Sequence, residues 1–219
     1  MAESGLLLLI HGESTDPQVD IFDRESSFLP VLKQILAGVP TLKIVLEHVT
    51  TAAGVEFVKQ HSNGQLAATI TAHHLLYSRN SLFQGGLQPH LYCLPILKHE
   101  SDRLALVESI FSPTHRHLFF AGTDSAPHER TNKERSGCAA GCFTAFATVE
   151  LYLESLASSV ICAKYKHDAA YHRQVIEDFL TKNGATFYGL QVNSSRTIRF
   201  SRTPMQVPNS MVRYMQSKR

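Results

Sequence analysis

Four short runs of apolar residues recur along the chain, and each leads into glycine or polar residues. They lie at residues 6–10, 42–46, 66–70 and 118–121. Apolar runs of this length, bounded in this way, predict buried β-strands. The first run contains no polar residue at all, which favours a strand that is buried on both faces.

The segments between and after these runs predict helices. Apolar residues at near-helical spacing occupy residues 22–36, 50–60, 102–111, 143–155 and 173–183. Gly38 and Pro40 predict the end of the first helix. Residues 78–100 predict a long loop over the strand ends, and residues 184–192 a short connection. Strands that alternate with helices favour parallel βαβ units and therefore an α/β fold.

The composition is that of an ordinary globular protein, with 43% hydrophobic and 18% charged residues in a chain of 219. No low-complexity linker divides the sequence, so we expect a single domain over residues 1–219 that ends in a basic tail from about residue 194. The net charge of +2 is too small to favour nucleic acid or a membrane surface as an obligatory partner. We therefore expect a small-molecule ligand.

The location is predicted from the amino-terminal run and the cysteines. Residues 6–10 lack a basic leader and fall far short of the ~20 residues that cross a bilayer. Cys93, Cys138, Cys142 and Cys162 are few and scattered, unlike a secreted disulfide framework. Cys138 and Cys142 have no second Cys/His pair nearby in the sequence to complete a zinc site. These features predict a cytoplasmic protein.

Three of the four predicted strands are followed by a residue that can bind a metal. His11, His48 and Asp124 follow the first, second and fourth runs. In a parallel α/β barrel the active site lies at the carboxyl ends of the strands. Imidazole and carboxylate groups are ligands that zinc accepts. Each residue alone could be a hydrogen-bonded histidine or a helix-capping aspartate, but the coincidence of three favours a metal site.

Two further histidine pairs compete with this interpretation. His73 and His74 follow the third run, and we expect them to be loop residues or residues that support a ligand. His115 and His117 form a His-x-His pair, a spacing typical of metal sites. That pair precedes its strand, however, and would lie at the opposite face of a barrel, so we expect it to be structural.

Longer motifs surround these residues. They are His-Gly-Glu at 11–13, Asp-Ile-Phe-Asp-Arg-Glu at 20–25, Glu-His-Val-Thr-Thr at 47–51, Ala-Ala-Thr-Ile-Thr at 67–71, Pro-His-Leu-Tyr-Cys-Leu-Pro-Ile-Leu-Lys at 89–98 and Gly-Thr-Asp-Ser-Ala-Pro-His at 122–128. Together they resemble the dihydroorotases of the homodimeric, single-function type, within the amidohydrolase superfamily. The resemblance runs in order over roughly residues 5–200.

The resemblance implies a fold and an activity. The fold is the C-terminal half of a TIM-type (β/α)8 metal-dependent hydrolase barrel, with strands five to eight of that barrel. The activity is the reversible, zinc-dependent hydrolysis of (S)-dihydroorotate to N-carbamoyl-L-aspartate in de novo pyrimidine (UMP) biosynthesis.

The resemblance also implies roles for individual residues. His11 and His48 resemble the two histidines that hold one ion of a binuclear zinc centre. Asp124 resembles the aspartate that ligates the other ion and acts as the general base. Three further residues resemble substrate-binding positions of the family, and these are Leu94, His128 and Ala140.

Other parts of the family site have no counterpart in this sequence. These are a first-strand His-x-His pair, a carboxylated lysine that bridges both ions, and an arginine and an asparagine that bind the substrate carboxylate. We therefore expect a truncated chain with weak or no activity alone, which forms a homodimer or pairs with a complementary half. A non-catalytic half-barrel interaction module is the alternative. Hydrolysis of another cyclic amide is a third interpretation, although Pro127, His128 and residues 91–98 favour dihydroorotate.

Overall fold

A computed structural model of the chain describes residues 1–61, 63–158, 168–192, 195–201 and 203. At its centre are four parallel strands in sequential order. They are β1 (Leu8–His11), β2 (Ile44–Glu47), β3 (Leu66–Ile70) and β4 (Phe119–Ala121). In register, His11 pairs with Glu47 and Ile70 pairs with Ala121, so the carboxyl ends of all four strands meet at one edge. The predicted α/β fold with about four parallel strands is confirmed.

Helices connect and follow the strands. They are α1 (Arg24–Gly38), α2 (Ala52–Gln60), α3 (Ala72–Leu76), α4 (Glu100–Phe111), α5 (Arg130–Lys133), α6 (Thr148–Ser158), α7 (Ala169–Glu177) and α8 (Asn183–Tyr188), with the π-helical turn Asp178–Lys182 between the last two. Short 3-10 helices occur at Ala2–Ser4, Arg79–Phe83, Pro89–Leu91, Arg116–Leu118 and Ala145–Ala147. Thr51 caps α2 because its side chain accepts a hydrogen bond from the Gly54 amide.

The main core lies between one face of the sheet and the helices. Ile44, Leu46, Leu66, Ile70 and Phe119 are at most 1% exposed and belong to one cluster with buried residues of α1, α2, α4 and α6. These alternate strand residues point to the same side. Burial of this apolar surface is the main force that holds the helices against the sheet.

The prediction that the first strand is buried on both faces is wrong. Leu8 and Ile10 pack against the main core, but Leu9 is 54% exposed. β1 is an edge strand, and its alternate side chains point to opposite faces of the sheet. The described helices cover only one of these faces at β1, so an unbroken apolar run here forms a half-exposed strand.

The predicted connection over residues 184–192 contains a helix instead. Phe187 and Tyr188 of α8 pack against Val45, Ala67 and Phe120, on the face of the sheet opposite the main core. This contact stabilises a helical turn for which the sequence shows no strong amphipathic pattern.

Of the two alternatives for His73 and His74, loop residues or residues that support a ligand, the first is wrong. Both belong to α3 and are only 2% and 3% exposed. Thr71 caps this helix, since its hydroxyl accepts a hydrogen bond from the His74 amide. The helix follows β3 directly, so the two histidines are carried into the interior at the carboxyl edge.

Most of the basic tail and one cysteine lie outside the residues that the structure describes. Arg196 and Arg199 are exposed. Cys162 and the tail from residue 204 onward lie outside the described residues. Among the described helices, none is both long and apolar enough to cross a membrane.

Candidate active site

The carboxyl edge of the sheet brings His11 and His48 together. His11 is the last residue of β1, and His48 directly follows β2. Nδ1 of His11 lies 3.1 Å from Nε2 of His48, with the two rings edge to face. Two imidazole nitrogens on one tetrahedral zinc ion, each at about 2.0–2.1 Å, lie about 3.3 Å apart. The pair therefore has nearly the spacing of two ligands of one ion.

Glu13 fixes the orientation of His11. Its Oε2 lies 2.8 Å from Nε2 of His11, and its side chain is 6% exposed. A carboxylate that accepts one ring N–H of a histidine leaves the other nitrogen free as a metal ligand. Oε1 of Glu13 and Nδ1 of His48 are buried and have no hydrogen-bond partner among the described residues. The donor set and these two atoms fit a site that accepts a further polar group or ion.

His48 and Asp124 share an unusual backbone conformation. Their φ angles are 42° and 40°, the left-handed region that residues other than glycine seldom adopt. The His48 amide donates to Oγ1 of Thr69 at 2.6 Å, and that hydroxyl donates to Glu47 at 2.6 Å. A Cβ at Gly122 would lie 2.5 Å from Cβ of Thr69, so the chain before Asp124 approaches Thr69 closely. Such strain is concentrated at functional sites in proteins.

A buried carboxylate holds the turn after His48. Glu25, at the start of α1, is 2% exposed and accepts four hydrogen bonds from Thr50 and Thr51. The donors are the backbone amide and the hydroxyl of each threonine, at 2.5–2.8 Å. Charge-assisted bonds of this kind are stronger than neutral ones. The prediction from sequence did not include Glu25, although it lies in one of the quoted motifs.

The charges at this edge influence one another. Burial, and secondly the neighbouring His11, lowers the pKa of His48 to about 4, so its imidazole is neutral near pH 7. Partial burial raises the pKa of Asp124, which the nearby His11 only partly opposes. Burial also raises the pKa of Glu47, and the Asp124 charge adds to this effect. Two neighbouring carboxylates and a neutral imidazole form a set that a cation would stabilise.

The structure connects the three residues that the sequence predicted to contact substrate. Nε2 of His128 lies 2.9 Å from the carbonyl oxygen of Ala140. The next amide, that of Gly141, donates to the Tyr92 carbonyl at 2.9 Å. Tyr92 precedes the half-buried Leu94 by two residues. The segments that carry these three residues therefore lie side by side.

Lys133 fastens the same segments, and no motif in the sequence pointed to it. The residue is 3% exposed. Its ammonium donates to the carbonyl oxygens of Tyr92, Ala139 and Gly141 at 2.9, 2.7 and 2.8 Å. A charge that is buried among three carbonyls is satisfied by them and fixes their positions.

A cleft of about 220 Å³ opens beside these segments. Its lining includes His73, Tyr77, His90, His128, Lys133 and Cys142. Within the described part of the chain, its lining does not include His11, His48 or Asp124. The cleft contains His128, a predicted substrate-binding residue, and two residues of its lining neighbour predicted metal ligands: His73 interacts with His48, and Cys142 interacts with Asp124.

His115 and His117 lie where the sequence predicted them, before β4 and at the opposite end of the strand from Asp124. Hydrogen bonds from a distant side chain hold the backbone of this segment in place. Asn183 donates to the carbonyls of Arg116 and Phe119, at 3.0 and 2.9 Å. This arrangement supports a structural role for the segment.

Comparisons with known proteins agree with this geometry. The chain is 49% identical over 211 residues to a dihydroorotase of Shewanella denitrificans and 48% identical to one of Halorhodospira halophila. Each alignment covers 96% of this chain but 57% of the relative, so the chain spans little more than half the length of these curated relatives. No protein-family model matches the chain.

Solved structures show the same relationship. A crystal structure of the dihydroorotase of Campylobacter jejuni matches with a TM-score of 0.70 and 34% identity, covering 89% of this chain and 51% of that one. Dihydroorotase of Saccharomyces cerevisiae in complex with 5-fluoroorotic acid matches with a TM-score of 0.73 and 28% identity, covering 87% and 52%. An L-hydantoinase of Arthrobacter aurescens, with a TM-score of 0.65 and 15% identity, shares the fold alone.

The parallel sheet, with histidine and carboxylate side chains at its carboxyl edge, defines a partial α/β barrel with the fold of solved dihydroorotases. Within that class, the chain resembles the C-terminal half of a dihydroorotase.

Proposed function

We propose that this chain carries the C-terminal share of a dihydroorotase active site. The reaction is the reversible hydrolysis of (S)-dihydroorotate to N-carbamoyl-L-aspartate, a step of de novo pyrimidine biosynthesis. The observation that carries the proposal is the 3.1 Å contact between His11 Nδ1 and His48 Nε2 at the carboxyl edge. A cytoplasmic location, predicted from the scattered cysteines, is part of the same proposal.

His11 and His48 hold one zinc ion in this proposal, through the two nitrogens that face each other. Asp124 ligates a second zinc ion and acts as the general base. Bound zinc polarises a carbonyl group and lowers the pKa of water. In that role the Asp124 carboxylate would accept a proton and return it to a departing amide nitrogen.

The substrate is held by His128, Leu94 and Ala140. The imidazole of His128 binds the substrate carboxylate, and the backbones of the other two residues contact the ring. Support comes from the 2.9 Å contact between His128 and the Ala140 carbonyl, which places both residues at one location. Lys133 keeps the backbone of this region in place through its three carbonyl contacts.

The 219 residues supply only part of the ligand set that the family resemblance implies. We therefore propose that the chain alone has weak or no activity. Full activity requires a complementary half that supplies the missing ligands, whereas a second copy of this chain would cover its exposed strand edge without supplying them.

Zinc content and turnover test the proposal together. We expect purified chain to bind zinc at the edge site, with the affinity reduced at least tenfold by His11→Gln or His48→Gln. His99→Gln is the matched control, because His99 is exposed and caps α4 away from this site. Ring closure of carbamoyl aspartate is measured in parallel, with and without a polypeptide of the complementary barrel half. Zinc binding that neither substitution weakens would contradict the proposal.

A non-catalytic interaction module is the second candidate, and one observation favours it. Leu9, on edge strand β1, is 54% exposed and continues the face that Val45 occupies in the neighbouring strand. An uncovered apolar strand edge favours association with another chain. Size-exclusion chromatography decides the point, since a compact, monodisperse, cooperatively melting monomer would count against both this candidate and the need for a partner.

A further inference from the structure

A second group of potential metal ligands lies beside the cleft and next to the edge site. His73 and His74 come from α3, and Cys93 comes from the irregular segment between two helical elements. All three side chains are buried, with exposures of 2%, 3% and 1%. One ligand atom from each residue lies within 4.8 Å of the others. Nε2 of His74 and Sγ of Cys93 are 3.8 Å apart, close to the separation of two ligands around one tetrahedral ion.

His73 is the first sign that the group binds something. Both of its ring nitrogens are buried and have no hydrogen-bond partner among the described residues. Each buried polar group without a partner costs about 1–3 kcal/mol. A neutral imidazole carries a lone pair on one of these two nitrogens. A bound cation would satisfy that lone pair.

The hydrogen bonds of His74 allow it to act as a ligand after a change of tautomer. In the metal-free chain, Nε2–H donates to the Pro95 carbonyl at 2.9 Å, and Nδ1, 2.7 Å from Oγ1 of Thr71, accepts from that hydroxyl. The Thr71 hydroxyl can equally accept from Nδ1–H, which leaves the lone pair of Nε2 free for an ion and keeps the ring in place.

We propose that His73, His74 and Cys93 form a binding site for a divalent cation of the zinc class, distinct from the edge site. Two imidazoles and one thiolate are a ligand set that zinc and cobalt prefer. On binding, the Cys93 thiol loses its proton to solvent and no electron is transferred. The bound ion fastens the Cys93 segment to the start of α3, so its role is structural.

The surrounding residues give an ion a route to the group and affect the charge of the Cys93 side chain. His73 and Cys142 both line the cleft, which gives an ion access to the group. The thiol of Cys142 is hydrogen-bonded to that of Cys93. The hydrogen bond with Cys142 and burial raise the pKa of the Cys93 thiol, and Lys98 and Lys133 only partly oppose this effect. The thiolate therefore forms only when an ion binds, and it then offsets part of the charge of the ion.

Cobalt spectroscopy separates this site from the edge site, because the proposed ligands of the edge site contain no sulfur. The reduced full-length chain is titrated with Co²⁺, and the near-ultraviolet charge-transfer band from thiolate to cobalt is recorded. We expect a band that saturates at one ion per chain and disappears when zinc is added. Cys93→Ser and His73→Gln should abolish the band, whereas His11→Gln should leave it unchanged.

Matched controls and a second readout keep the test decisive. Cys138→Ser and His99→Gln alter a cysteine and a histidine outside the group, and both should retain the band. Zinc should raise the melting temperature of the His11→Gln chain but not that of its His73→Gln derivative, compared by circular dichroism. Absence of the band in the wild-type chain, or its persistence in Cys93→Ser, overturns the proposal. Carbamoyl aspartate turnover without the band would refute this site alone.

Discussion

The two histidine groups at the carboxyl edge differ in what surrounds them. His11 is half exposed and, with buried His48, lies near the carboxylates of Glu13 and Asp124. His73 and its neighbours are nearly inaccessible and lie near sulfur and backbone carbonyls. Both groups follow adjacent strands of one sheet. The strand ends therefore place imidazoles at one edge of the sheet. The loops that pack over each strand determine whether carboxylates or sulfur and carbonyl groups lie beside those imidazoles.

The largest expected effect comes from Glu25, which supports the turn after His48 but not the buried group of His73, His74 and Cys93. Glu25→Ala removes the acceptor of four buried hydrogen bonds beside His48, which we expect to cost about 4 kcal/mol of unfolding free energy. Zinc binding at His11 and His48 should weaken, while the cobalt–thiolate band of the buried group persists in the folded fraction. Urea unfolding and the cobalt titration measure the two effects. Glu56→Ala is the control, because Glu56 is 58% exposed and should change stability little. An equal loss for both variants would refute the role of Glu25.

The next effect concerns acid stability of the metal-free chain. The pKa of His73 is lowered from 6.5 to about 4, so the folded state binds fewer protons than the unfolded state between these values. Stability is therefore lost as the pH falls from about 6.5 toward 4, and this histidine alone contributes about 3 kcal/mol of that loss.

Urea unfolding at several pH values, with a chelator present, measures this slope. His73→Gln should flatten it, whereas His99→Gln should not, because His99 is exposed. The same slope in wild-type and His73→Gln chains would show that His73 is not buried as a neutral base.

The smallest effect concerns Tyr152, whose hydroxyl contacts the strand ends that lead to both histidine groups. The Tyr152 hydroxyl donates to the carbonyls of Ile70 and Gly122 at 2.7 and 3.1 Å. These carbonyls lie at the ends of β3 and β4, just before the segments that lead to His73 and to Asp124. Tyr152→Phe should cost about 1–2 kcal/mol and weaken metal binding at both groups slightly. Thermal unfolding measures the loss of stability, and metal titration measures binding at each group, with Tyr77→Phe as the control for both. A loss of binding at only one group would mean that the ends of β3 and β4 respond independently.

Several features follow from the spacing of apolar residues alone. The run that begins at residues 66–70 forms β3 (Leu66–Ile70), because its side chains are all buried and apolar residues dominate it. The positions of His11, His48 and Asp124 at strand ends followed from the same runs. Their roles as ligands stay a proposal, as does the single domain over residues 1–219.

Other features depend on contacts between distant segments. Glu25 is 25 residues from Thr50, and no local pattern reveals that its carboxylate accepts hydrogen bonds from that turn. Phe187 and Tyr188 form a helix because they cover the second face of the sheet. His73 is buried because α3 packs beneath later segments, including the one that carries Cys93.

The alternation of strands and helices can be predicted from the sequence, since the spacing of apolar residues reports which side chains leave water. The sequence also shows which polar residues follow the strands, and so which of them meet at one edge. Three features are visible only in the folded chain: β1 is half exposed, Glu25 supports His48, and His73, His74 and Cys93 meet in the interior. These outcomes depend on the packing of segments far apart in the chain, which local spacing does not encode.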